Sequence, residues 1–163
     1  MNNSRTMKTK FMIQAAIIAA VYAVITIAFA PLSYSLIQVR ISEALTVLPY
    51  FTPAAIPGLF VGAFMANLLS PYGLPDLILG SLASLIAATL SYKLRSKQYL
   101  VPMPPVIVNA VIIGFMLYFF YSFPFPLIVC MAIVGAGQLV ACYGIGYPLM
   151  LLLKRYKKIF DLS

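Results

Sequence analysis

The sequence predicts an all-α integral membrane protein: a compact bundle of six transmembrane helices in a single domain, with the N- and C-termini cytoplasmic. Three observations lead there. Of 163 residues, 63% are hydrophobic and only 9% charged, far from the quarter charged of a soluble domain. The apolar residues gather in runs close to the ~20 residues that cross a bilayer core. Ten of the eleven Lys and Arg residues fall in three clusters: Arg5, Lys8 and Lys10; Lys93, Arg95 and Lys97; Lys154, Arg155, Lys157 and Lys158. Six spans put all three clusters on one side, which the positive-inside rule makes cytoplasmic. Five or seven would scatter them. The net charge of +8 is thus a topology signal. No cluster is interleaved with stacking aromatics as in a nucleic-acid groove.

The expected spans are residues 11–30, 36–51, 53–69, 76–94, 103–121 and 127–153. The first begins with a basic stretch and ends in Ala28-Phe29-Ala30, like a secretory signal, but its apolar run is too long for one. Ala15, Ala19 and Ala23 form a small-residue stripe along it, with Ala16 and Ala20 beside them. Such a stripe lets another helix approach closely, either within the bundle or from a partner subunit. Pro31 ends this span, and Leu32 to Leu36 is read as a loop. The second span is short: only about 12 residues follow Arg40, so it must be tucked among other helices or begin earlier and bury Arg40. Thr52-Pro53 breaks it. Gly58 and Gly62 give the third span a small-residue face. Ser70 to Pro75 is a turn. Asp76 opens the fourth span, where a carboxylate either caps the helix or meets a ligand. Pro102, Pro104 and Pro105 lead into the fifth, and Phe123-Pro124-Phe125-Pro126 turns into the sixth.

The polar residues inside these spans carry the functional reading. Arg40 and Glu43 lie three positions apart, on one helix face. Charges near lipid are expensive and mark functional sites, although a mutual pair that only fixes packing is the simpler alternative. With the orientation above, Arg40, Glu43, Asn67 and Asp76 fall in the outer half of the bilayer, and Asn109 and Gln138 lie deeper. Facing inward together, these six make a candidate small-molecule site. Tyr50, Tyr72 and Tyr118 are candidates to stack on a ring.

Several chemistries are excluded. There is no phosphate-binding G-x-x-x-x-G-K-[ST] loop. There is no histidine, so neither a Ser–His–Asp triad nor an H-E-x-x-H zinc site is possible. Cys130 and Cys142 sit in apolar runs and read as packing residues. An enzyme is not expected, nor a metal or other cofactor. A stand-alone ion-coupled carrier would use Glu43 and Asp76, but the chain lacks the repeated halves expected of one.

The run Gln38-Val39-Arg40-Ile41-Ser42-Glu43-Ala44-Leu45-Thr46-Val47-Leu48-Pro49 resembles the QueT family. So do Gly62, Asn67, Gly73 with Asp76, Gly80-Ser81-Leu82-Ala83 and Pro104-Pro105-Val106-Ile107-Val108-Asn109-Ala110. The resemblance covers nearly the whole chain after the first span. It implies a substrate-binding S component of an energy-coupling factor (ECF) transporter for queuosine precursors, in the bacterial cytoplasmic membrane. The implied partners are a transmembrane coupling subunit and two cytoplasmic ATPases. The implied ligand is a 7-deazaguanine such as 7-aminomethyl-7-deazaguanine (preQ1) or queuine. The stripe at Ala15, Ala19 and Ala23 resembles the docking motif on the first helix of other S components. An S component for another vitamin is the alternative, since such subunits share architecture while their pockets differ.

Overall fold

The computed structural model describes residues 2–33 and 39–160, and all regular structure among them is helical. Helix α1 (Asn2–Ala28) is followed by the single turn α2 (Ala30–Ser33), which contains Pro31 in its first turn. The expected loop thus begins as a helical turn; its remainder lies outside the described residues, as does Gln38, the first residue of the distinctive run. Helix α3 (Ile41–Tyr50) is wound with the tight 3₁₀ pitch. At ~2 Å per residue its ten residues reach only ~20 Å, short of a bilayer core. Seven of the ten are buried, so neighbouring helices encase it. Helix α4 (Ala55–Asn67) has 13 residues and is equally short.

Among the described residues, four helices are long and apolar enough to cross a membrane: α1, α5 (Gly73–Lys93), α6 with its preceding turn, and α7 (Leu127–Tyr156). The expected six spans are therefore six helical segments, of which α3 and α4 fall below that length. Helix α6 (Met103–Tyr121) starts with prolines in its first turn, where their missing N–H groups cost nothing. Ser122 ends it with a left-handed φ of 46° while Phe123 N–H reaches back to Leu117 C=O, the 6→1 closure of a helix C-terminus.

Two wide π turns interrupt the long helices, Asp76–Gly80 in α5 and Val140–Gly146 in α7. Such turns recur at functional sites. Close packing without side chains holds the bundle. A Cβ on Gly58 would sit 2.8 Å from Ala15 C=O, and one on Gly62 2.8 Å from Ala19 C=O. One on Gly146 would sit 2.9 Å from Ala44 C=O. Glycine thus brings α4 onto α1, and α7 onto α3, at backbone contact distance.

The basic clusters share one end of the bundle. Gln14 of α1 accepts from Thr52 Oγ1 (2.8 Å) and donates to Ile159 C=O (3.4 Å). Phe51 stacks on Phe160, 4.9 Å between centroids. Lys154 donates to Gln98. The opposite end holds Arg40, the turn after Asn67 and the α6–α7 turn.

Candidate functional site

All six residues singled out from the sequence are buried: Arg40, Glu43, Asn67, Asp76, Asn109 and Gln138. They gather around the ends and wide turns of five helices, in three linked groups.

The first group is built on Asp76. Arg40, the extended residue that caps α3, sends Nη2 to Asp76 Oδ2 at 2.9 Å. Ser70 Oγ donates to the same oxygen at 2.5 Å. Asn67 Nδ2 donates to the Asp76 carbonyl at 3.0 Å. Gly80, one turn further on, makes room for this arrangement, because a Cβ there would meet Asn67 Nδ2 at 2.7 Å and Asp76 Oδ1 at 2.8 Å. Asp76 is not a helix cap. The helix starts at Gly73, whose φ of +63° opens the turn, and the Asp76 side chain serves Arg40 and Ser70 instead of backbone N–H groups. The simple Arg40–Glu43 pair is likewise corrected: the ion pair of Arg40 bridges 36 residues to α5. Asp76 Oδ1 and Asn67 Oδ1 are buried without a hydrogen-bond partner among the described residues. Each is a desolvated acceptor, costly unless a donor arrives.

The second group is built on Glu43. Its Oε1 accepts from Tyr22 Oη at 2.5 Å and its Oε2 from Asn109 Nδ2 at 3.3 Å. Its backbone N–H donates to Arg40 C=O at 3.0 Å, closing the first 3₁₀ turn and tying Glu43 to the residue that leads into the helix. Three helices thus converge on this one carboxylate: α1, α3 and α6. The third group ties in α7: Cys142 Sγ lies 3.5 Å from Gln138 Oε1 and 3.7 Å from the Glu43 carbonyl, and Thr46 Oγ1 donates to that carbonyl at 2.6 Å. Chemically, the tract supplies two carboxylates, three amides and a guanidinium inside an apolar shell. Such a set has the acceptors to bond a polar solute rich in N–H donors.

Tyr22, Ser70, Thr46 and Cys142 were not foreseen as members. Ser70 stands six residues before Asp76 across a turn, and Tyr22 is a lone phenol in an apolar run; burial of these hydroxyls near a carboxylate is visible only in three dimensions. Cys142 is buried, as a packing residue is, and also borders the polar tract. Of the stacking candidates, Tyr50 packs on Phe51 at the basic end (4.9 Å) and is excluded by position. Tyr118 is 40% exposed and packs edge-on against Phe119. Tyr72 lies beside the first group, its carbonyl accepting from Tyr121 and its N–H donating to Ser70 Oγ. The stripe Ala15, Ala19 and Ala23 needs a correction as a partner-docking face. Ala15 and Ala19 are taken up against Gly58 and Gly62 of α4, and Ala23 continues the same partly buried face. Ala16 and Ala20, beside it, are exposed.

A bundle of apolar helices around an internal tract of ionisable and amide groups defines a multi-pass membrane transport protein. Its family is also clear: the family model described as QueT transporter matches residues 12–155, and the chain belongs to that family. Comparison with curated proteins and with solved structures gave no match.

Proposed function

We propose that the protein is the substrate-binding S component of an ECF importer in a bacterial cytoplasmic membrane, and that it captures a 7-deazaguanine queuosine precursor. The observation that carries this reading is the pair of fully buried carboxylates, Glu43 and Asp76, at the end of the bundle away from the basic clusters. With six membrane-embedded helical segments and the basic end cytoplasmic, both buried carboxylates lie at the outer end, the side on which a scarce nutrient is captured.

A guanine-like edge offers two adjacent N–H donors, which a carboxylate accepts as a pair. Glu43 suits this edge. A carboxylate has about four acceptor positions, and Tyr22 and Asn109 occupy one on each oxygen. Asp76 suits a cationic aminomethyl arm: Arg40 and Ser70 both use Oδ2, while Oδ1 and the neighbouring Asn67 Oδ1 remain acceptors without a donor among the described residues. Arg40 orients Asp76, and Asn109 and Gln138 fix the inner wall. Energy comes from two ATPases on the basic side, through a coupling subunit. The docking ridge on α1 is then Ala16 and Ala20, flanked by Met12 at 69% and Val24 at 64% exposure.

The test is co-purification and uptake. Tagged protein expressed with the ECF module is expected to retain the coupling subunit and both ATPases, and to support uptake of a labelled 7-deazaguanine that stops when the ATPases are inactivated. Uptake by the chain alone, without ATPases, would establish a stand-alone carrier and overturn the proposal.

A further inference from the structure

The basic end of the bundle carries more charge than the chain itself can balance. The sequence has three acidic residues. Glu43 and Asp76 are committed to the polar tract, and Asp161 lies outside the described residues. Asp76 and Arg95 stand 19 residues apart along α5 and its C-terminal turn, ~28 Å at helical rise, beyond a Debye length in physiological salt. The cations of the 93–97 turn therefore draw no neutralising partner from the tract.

One end-of-bundle cation, Arg95, lines a cavity, and a second, Lys154, is held against one of its walls. The cavity has a volume of about 390 Å³ and is lined by Tyr50, Phe51, Arg95 and Ser96. The Arg95 guanidinium lies over the Tyr92 ring, 4.0 Å from its centroid. Lys154 Nζ lies 5.4 Å from the centroid of Tyr50, a lining residue, and donates to Gln98. Stacking on aromatic faces orients both cations without neutralising them. Fixed cations and a hydroxyl around a concave site form an anion receptor. Beside it, Leu94 and Tyr99 are exposed at 36% and 57%, apolar surface level with the charged rim.

We infer that this cavity is a binding site for the headgroup of an anionic phospholipid, with the phosphate between Arg95 and Lys154 and the acyl chains against the neighbouring apolar surface. Basic pockets between helices at the cytoplasmic rim have this chemistry, and each cation near the headgroup is worth about fivefold in affinity. The inference goes beyond the transport reading and is independent of its cargo, since the site lies at the opposite end from Glu43 and Asp76.

The experiment is native mass spectrometry of the full chain in detergent, titrated with phosphatidylglycerol, phosphatidylcholine or soluble glycerol 3-phosphate. Phosphatidylglycerol is expected to bind in preference to phosphatidylcholine. The Arg95→Gln/Lys154→Gln protein should lose roughly 25-fold in phosphatidylglycerol affinity. Ser96→Asp, on an exposed side chain, should weaken it while leaving the fold intact, and Lys8→Gln should match the wild type. Equal retention in wild type, Ser96→Asp and the double variant would overturn the inference. So would glycerol 3-phosphate binding as tightly as the lipid, which would mark a free-phosphate site. Loss of coupling-subunit association in the double variant, with no lipid preference in the wild type, would assign the cavity to a protein partner and also overturn it.

Discussion

Replacing the Arg40–Asp76 pair tests how the first polar group is held. The pair has an Nη2–Oδ2 distance of 2.9 Å, and its side chains are 6% and 1% exposed. Burial of this kind is costly for each ion alone, so removing one partner of such a pair destabilises by ~3–5 kcal/mol. Against a total stability of ~5–15 kcal/mol this is a large loss. Asp76→Leu leaves the guanidinium without its carboxylate and also frees Ser70. Arg40→Met leaves the carboxylate with Ser70 as its side-chain donor. Replacing both by apolar groups removes both desolvation costs, and such replacements are often near neutral. The double variant should therefore be far more stable than the sum of the single losses implies, with a coupling energy of at least ~2 kcal/mol. Denaturant unfolding of the four proteins in one detergent measures the cycle. Additive losses, within the ~0.5 kcal/mol expected of independent sites, would refute the idea that the two charges stabilise each other.

Other outcomes follow from the same packing and bonding. Gly62→Ala forces a Cβ to within 2.8 Å of Ala19 C=O and of Tyr22 Cβ. Backbone cannot yield there, so α1 and α4 must part, at ~1–3 kcal/mol on the overpacking scale, read as a lowered Tm. Tyr22→Phe deletes the phenol that donates to Glu43 at 2.5 Å. A bond to a charged group is worth ~1.5–3 kcal/mol, and ligand affinity should fall because the Glu43 carboxylate loses one of its two anchors. Ala16→Leu/Ala20→Leu, on the exposed ridge of α1, should leave ligand binding and Tm unchanged while abolishing co-purification with the coupling subunit.

Much of the fold was legible because its signals are long-range in sequence but simple in kind. Apolar run length marked the four long apolar helices, and the prolines at 102–105 the start of α6 at Met103, whereas the single turn α2 runs into the expected loop. Pitch was not legible. The 3₁₀ helix α3 packs against α1, α5 and α7, with Gly146 letting α7 close onto Ala44, and nothing in its composition signals the tighter winding. The facing of α1 was not legible either. On a helix apolar all round, hydrophobicity marks no inner side, so Ala15/Ala19 and Ala16/Ala20 were equivalent until Gly58 and Gly62 selected the first pair. The six buried polar residues were legible because ionisable and amide groups stand out in apolar sequence. Their pairing was not, since Arg40 has a carboxylate three residues away yet takes the one 36 residues away. Tyr22, an amphipathic residue in a run where tyrosine is unremarkable, gave no signal.

The most direct measurement of the central claim is a binding titration of the purified chain in detergent with 7-aminomethyl-7-deazaguanine, queuine and guanine, and with biotin, thiamine and riboflavin as controls, run on the wild type and on Glu43→Gln. Saturable binding of a deazaguanine and of none of the controls is expected, with affinity lost in Glu43→Gln by ~1.5–3 kcal/mol, about 10- to 150-fold. Binding of a control vitamin in place of the deazaguanines, or unchanged deazaguanine affinity in Glu43→Gln, would contradict it.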